Sequence, residues 1–322
     1  MLLRIPRNQA DAILGAMRAI ALEHGEDGVT ALDRGTIAGA ATIVLGLDPV
    51  DVEALEPVGP ERLAAELADR EEARQAVRML AVMALADGVV DAEKIGLVGE
   101  YARALDVHEG YLQILAETAA DEIAQATACI VRKNAESFPK LDVERLKLGP
   151  VAPFLPYGDA PDPELEARYE ALGKLPAESF GRAFYDHFKR NSFAFPGNPA
   201  GLAEGFTTPH DSSHVLSGYS TSQAGEICVS TFIGAMHPDH PMAAEVLPVL
   251  YSWHLGIKLN EIAQSFRGAY DPRRFWTAWD RGAATTVDVV DEGWDFWAAT
   301  EVPLEELRAA YGVPPTAADL LI

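Results

Sequence analysis

Cysteine is almost missing from this sequence: Cys129 and Cys228 stand far apart, each in a helical-looking, largely apolar segment. A disulfide framework or a cysteine metal site needs several thiols at close spacing, so two buried free thiols are expected. Basic residues are scarce too, with 26 Lys and Arg against 49 Asp and Glu and a net charge of −23. A field of that sign repels phosphate backbones and anionic headgroups, which excludes nucleic acid as an expected partner. Long apolar runs are also lacking. The longest uncharged stretch, Ile37 to Leu47, is broken by Gly39 and Gly46 and is too short to span a bilayer. Met1 to Asn8 carries no apolar run of the secretory type. These absences lead us to expect a cytoplasmic protein without a transmembrane segment, with any membrane contact peripheral.

Apolar residues make up 48% of the chain, enough for a sizeable core. A length of 322 residues exceeds what one hydrophobic core usually serves, so two domains are expected. Apolar residues recur at helical rather than alternating spacing, which predicts an all-α fold. The texture changes after Ser137. Pro139, Gly149, Pro150, Pro153, Pro156 and Pro163 crowd a short stretch that cannot be continuous helix. The expected domains are therefore 1–136 and 137–322, joined by this Pro/Gly-rich connector.

The first half carries an internal repeat. Residues 18–47 align with 78–107 at an offset of 60: Arg18 on Arg78, Asp27-Gly28 on Asp87-Gly88, Asp33 on Glu93, Leu45 on Leu105. The shared unit is an apolar helix, an Asp-Gly turn, an acidic first turn and a second apolar helix. Gly28 and Gly88 suit a left-handed helix end. Asp91 and Glu93 suit the positive N-terminus of the next helix. The run from Ala86 to Glu93, ADG-x-x-D-x-E between apolar helices, resembles the tellurite-resistance TerB-like family over roughly residues 10–135. That resemblance implies a helical domain in which Asp87, Asp91 and Glu93 are candidate cation ligands. The stronger reading of the same three acids is as turn and capping residues. The acids between Asp51 and Glu72 alternate with leucines and read as the solvated face of an amphipathic helix.

In the second half, Thr208 and Pro209 suit the N-cap and first position of a helix. His210 and His214, four residues apart, then fall on one helical stripe. Early in a helix the dipole disfavours imidazolium, and neutral imidazole is the form that binds metal. Gly218 to Ser222 reads as a turn with a cap. Residues 223–235 read as a second helix that places Glu226 one turn in, with Gly225 permitting close approach. Two imidazoles with one or two carboxylates, Asp211 and Glu226, suit Zn²⁺ first and Fe²⁺ or Mn²⁺ otherwise, with a position open for water or substrate. Taken singly, Asp211 reads as a capping acid and Glu226 as a surface acid.

HD-x-x-H followed by Glu226, with Ser179 to Tyr185, Gly268-Ala269-Tyr270 and Pro303 to Arg308 as flanks, resembles the coenzyme Q biosynthesis protein 4 family. The resemblance covers roughly residues 140–322. It implies a helical domain that binds a divalent metal, usually zinc, through His210, Asp211, His214 and Glu226, with Asp211 also placed to shuttle a proton. It further implies an apolar pocket for a prenylated aromatic or isoprenoid lipid. The expected activity is oxidative decarboxylation and hydroxylation of the ring; the alternative is a non-catalytic scaffold that organises a biosynthetic enzyme complex. Tyr185, Tyr270, Arg267 and Arg273 are the candidate substrate contacts, the arginines for a carboxylate or phosphate. The loop His237 to Pro241 looks like a second metal cluster but, with a proline on each side of His240, reads as a turn. The aromatic run from Trp253 to Trp279 reads mostly as core, in part as a wall for an apolar tail.

Overall fold

A computed structural model describes residues 5–23, 28–261 and 264–321. The fold is all-α: among these residues there is no sheet, only isolated bridges such as Ser179 with Pro303. No helix among them is long and apolar enough to cross a membrane. The chain gathers into two compact units. The first takes residues 1–129, 250–258 and 264–280, and the second takes 130–249, 259–263 and 281–322.

The first unit holds α1 (Arg7–Leu22), α2 (Ala31–Gly39), α3 (Pro60–Glu66), α4 (Arg70–Met83), α5 (Ala92–Ala104) and α6 (Gly110–Ala119). Ile13, Met17 and Ile20 of α1 and Val77, Leu80 and Met83 of α4 are fully buried and form its core. The repeat shows in the turns. Gly28 and Gly88 take φ values of 67° and 79°, where a Cβ would clash with the backbone. Asp27, one of the aligned pair, lies outside the described residues. The helix starts do not align: Thr30 caps α2 through a capping box with Asp33, whereas Asp91 caps α5, so the second copy starts one residue later than the offset predicts.

The aromatic run after Trp253 belongs largely to this first unit, not to the second as the expected boundary had it. Phe275 and Trp276 are fully buried there. The Trp276 indole donates to the Thr36 carbonyl at 2.9 Å, and the Tyr251 and Tyr270 hydroxyls meet those of Thr118 and Thr36 at 2.6 and 3.1 Å. Buried phenols and indoles need such partners, and these are supplied by helices more than 130 positions away in the chain. Sequence neighbourhood could not have shown that. Phe266 is the exception and stays exposed.

The second unit is built on α7 (Ile123–Ser137, shared with the first unit up to Cys129), α8 (Pro163–Ala171), α9 (Phe180–Asn191), α10 (Glu204–Ser217) and α11 (Gln223–Met236). Further along come α12 (Leu247–Trp253) and α13 (Pro272–Ala284), each ending or beginning in the other unit, then α14 (Phe296–Ala299) and α15 (Leu304–Ala310). Between α7 and α8 the prolines leave only a 3-10 turn, Val143–Leu148. An aromatic core joins α8, α9 and α14: Tyr169, Phe180, Phe184, Phe188, Phe195 and Phe296 pack together. The Phe184 ring lies 4.8 Å from those of both Phe188 and Phe296. Trp294, Phe296 and Trp297 thereby fix the C-terminal segment onto this core.

Candidate metal centre

The helix bearing the histidines starts earlier than its sequence suggests. Thr208 and Pro209 are interior to α10, whose N-cap is Ala203. The Thr208 hydroxyl serves Tyr169 at 2.6 Å instead of capping. Proline tolerates this position because only the Gly205 carbonyl loses its donor. At the other end α10 closes on Gly218, left-handed at φ 84°. Two arginines satisfy its last carbonyls: Arg308 donates to Val215 and Leu216, and Arg281 to Ser217. The helix is thus held rigidly at the end next to His214.

The turn to α11 is equally constrained. A Cβ on Gly225 would lie 2.1 Å from the Ser220 carbonyl oxygen, so only glycine fits there. Ser222 caps α11 by accepting from the Gly225 amide. Glu226 follows and faces α10. Its two oxygens stand 3.6 Å from His210 Nε2 and 3.4 Å from His214 Nε2. Among the described residues, His210, His214 and Glu226 form the group whose ligand atoms all lie within 4.8 Å of one another. The His214 Nδ1 lies 2.9 Å from the Tyr219 carbonyl, which can only accept. Nδ1 therefore carries a proton, which leaves Nε2 as the ring atom facing Glu226, the orientation metal-binding histidines show.

Asp211, expected among the ligands, is directed elsewhere. Successive helical residues diverge by about 100°, so Asp211 leaves the His210/His214 stripe. Its buried carboxylate sits 2.8 Å from His187 Nε2 on α9. The His187 ring stacks on that of His214 with centroids 5.3 Å apart. His187 was missed from the sequence, although Phe180, Phe184, His187 and Phe188 share the buried face of α9, where an imidazole is out of place. Asn191 steadies it, donating to the His187 carbonyl while accepting from Thr221.

Electrostatics favour an internal ion pair while the group holds no cation. Burial alone would lower the His210 imidazole, but the hydrogen bond and charge of Glu226 prevail and push it up to about 9. Burial alone would raise the Glu226 carboxyl; His214 and His210 overcome this and hold it well below the usual carboxylate range. A second acid, Glu245, lies fully buried in the π-helical turn Pro241–Val246 and accepts from the Ser137 hydroxyl at 3.0 Å. Burial pushes its carboxyl up to about 7, opposed by His210. His237, from the supposed metal loop, is buried and holds Asp288 at 2.6 Å through Nδ1. That pairing raises its imidazole against the effect of burial. His237 does not join the group around Glu226.

The TerB-like acids meet a different fate. Asp87 holds Lys94 at 2.7 Å, both fully or almost fully buried, and Asp91 caps α5. The positive charge that Asp87 needs thus comes from within the chain. Of the candidate substrate contacts, Tyr270, Arg267 and Arg273 belong to the first unit and Tyr185 to the second. Tyr270 is buried against Thr36, Arg267 and Arg273 are exposed, and Tyr185 stacks on Phe195. None of the four belongs to the group around Glu226. No protein-family model matches the chain, and no curated protein matches it.

Proposed function

We propose that the second unit binds one divalent cation through His210, His214 and Glu226 and acts on a prenylated aromatic acid, by decarboxylation and hydroxylation of the ring. The observation that carries the cation part is the convergence of two imidazole nitrogens and a carboxylate within 4.8 Å from two capped, rigid helices. The donor chemistry fits: nitrogen and oxygen ligands, fewer than four, with His210 and Glu226 retaining 15% and 19% side-chain exposure through which a substrate group can enter. A bound ion would stabilise negative charge on an aryl carboxylate, and oxygen chemistry would require iron or manganese rather than zinc. The chain's own residues do the rest. Glu226 bridges the two imidazoles, Tyr219 fixes the His214 tautomer, and Asp211 with His187 holds a proton beside the site. The substrate assignment is supported by the sequence resemblance alone. Its test is turnover of prenylated hydroxybenzoates by metal-replete protein: product that disappears in His210→Ala is expected, and no product from any such acid defeats the assignment. A second reading, a non-catalytic isoprenoid-binding scaffold, is favoured by one observation: none of the three ligands lines the cavity described below. Isoprenoid extracted from both wild-type and His214→Ala protein would support it.

A further inference from the structure

Beside the first turns of α10 the second unit forms a half-open cavity of about 540 Å³, within the range of small-molecule sites. Its walls include the rings of Tyr157, Trp294, Phe296 and Trp297. Its charge is lopsided. Asp142, Glu204, Asp291, Glu292 and Asp295 line it against Lys140 and Arg145. Most of these acids are fixed in place. Asp142, Asp291 and Asp295 accept from backbone amides, and Glu204 accepts from the Tyr169 hydroxyl. Lys140 and Arg145 instead donate to the Trp294 and Ala152 carbonyls, so their hydrogen bonds do not go to the carboxylates. Gly205 and Pro209 also line the space.

Three ligand classes can be weighed. An anion would meet a lining with more negative than positive groups and few free donors. A divalent metal needs several oxygens converging on one point. Among the described residues only His210, His214 and Glu226 converge in that way, and none of them lines this cavity. Dispersed carboxylates around an aromatic wall suit a larger cation. Aromatic faces attract cations, and one ring of this wall already takes one: the Arg168 guanidinium lies 3.6 Å over Trp297.

We propose that this cavity is a binding site for an organic ammonium ion, its charged end among the carboxylates, its apolar body against the half-buried rings of Tyr157 and Trp297. This proposal does not depend on the metal reading. The test is calorimetric titration of the full chain, treated with chelator so that no metal can capture an amine. The probes are benzylamine, benzyl alcohol and benzoate, which share a ring and differ in charge. Saturable binding of benzylamine is expected, weaker for the alcohol and absent for benzoate. Glu292 is exposed, so Glu292→Lys leaves the fold intact and should weaken benzylamine roughly tenfold. Benzoate binding as tightly as benzylamine, no binding by any probe, Ca²⁺ displacing benzylamine one for one, or an unchanged affinity in Glu292→Lys would each overturn the proposal.

Discussion

Asp87, in the turn between α4 and α5 of the first unit, and Glu226, in the first turn of α11 in the second, are both acids that sit against a positive group. They differ in what supplies the charge. Asp87 faces the ammonium of Lys94, which has no lone pair to offer while charged and is fully buried. Glu226 faces two imidazoles, which bind a metal once they shed a proton. The first pair is closed by its own chemistry, whereas the second can exchange protons for a cation. An acidic motif therefore marks a cation site only when the groups opposite it can become ligands.

The largest effect that sharpens this contrast concerns the closed pair. Asp87→Asn strands the buried Lys94 charge and should cost about 3–5 kcal/mol in denaturant unfolding, while zinc affinity stays unchanged. Adding Lys94→Met should recover most of that loss; failure to do so would mean that Asp87 stabilises the fold by another route. In the open cluster the order reverses. Glu226→Gln or His214→Ala should lower zinc affinity by at least about 100-fold, and Asp211→Asn, which alters only a neighbouring pair, by no more than about tenfold. A larger loss for Asp211→Asn than for Glu226→Gln would restore Asp211 to the ligand set.

Glu245 offers a smaller effect. Its folded carboxyl is raised to about 7, so its proton stabilises the fold below the ordinary carboxylate range, and that stability is lost as pH rises through 7. In chelator-treated protein, Glu245→Gln should be more stable than wild type by on the order of 2 kcal/mol at pH 8, with no difference at pH 4. Equal stability at both values would show that Glu245 stays ionised. The gentlest effect is a slope. His210, raised to about 9, must lose its proton to bind metal. Zinc affinity should therefore climb about tenfold per pH unit between 6 and 8, with a proton released on binding. A flat profile would mean that His210 is no ligand.

Much of the helical architecture and the central triad were legible because both depend on local spacing. His210 and His214 lie one turn apart, the Ser222 cap sets Glu226 one turn into α11, and Gly218 ends α10 as its type predicts. What was not legible depends on distant partners. Thr208 reads as a cap but is claimed by Tyr169, 39 positions away. Asp211 is claimed by His187 across 24 positions. Tyr251, Tyr270 and Trp276 are buried against α2 and α6, which no neighbouring residue announces. Two signals were present and went unused: His187 on the apolar stripe of α9, and Glu245 as the sole acid in the ten-residue buried run that begins at Pro241.

The most direct measurement is calorimetric titration of Zn²⁺ into chelator-stripped wild-type, Glu226→Gln and Asp87→Asn proteins at pH 7.5. One ion per chain should bind the wild type and Asp87→Asn alike, with binding collapsing in Glu226→Gln. Loss of binding in Asp87→Asn together with full binding in Glu226→Gln would place the cation in the first unit and contradict the account.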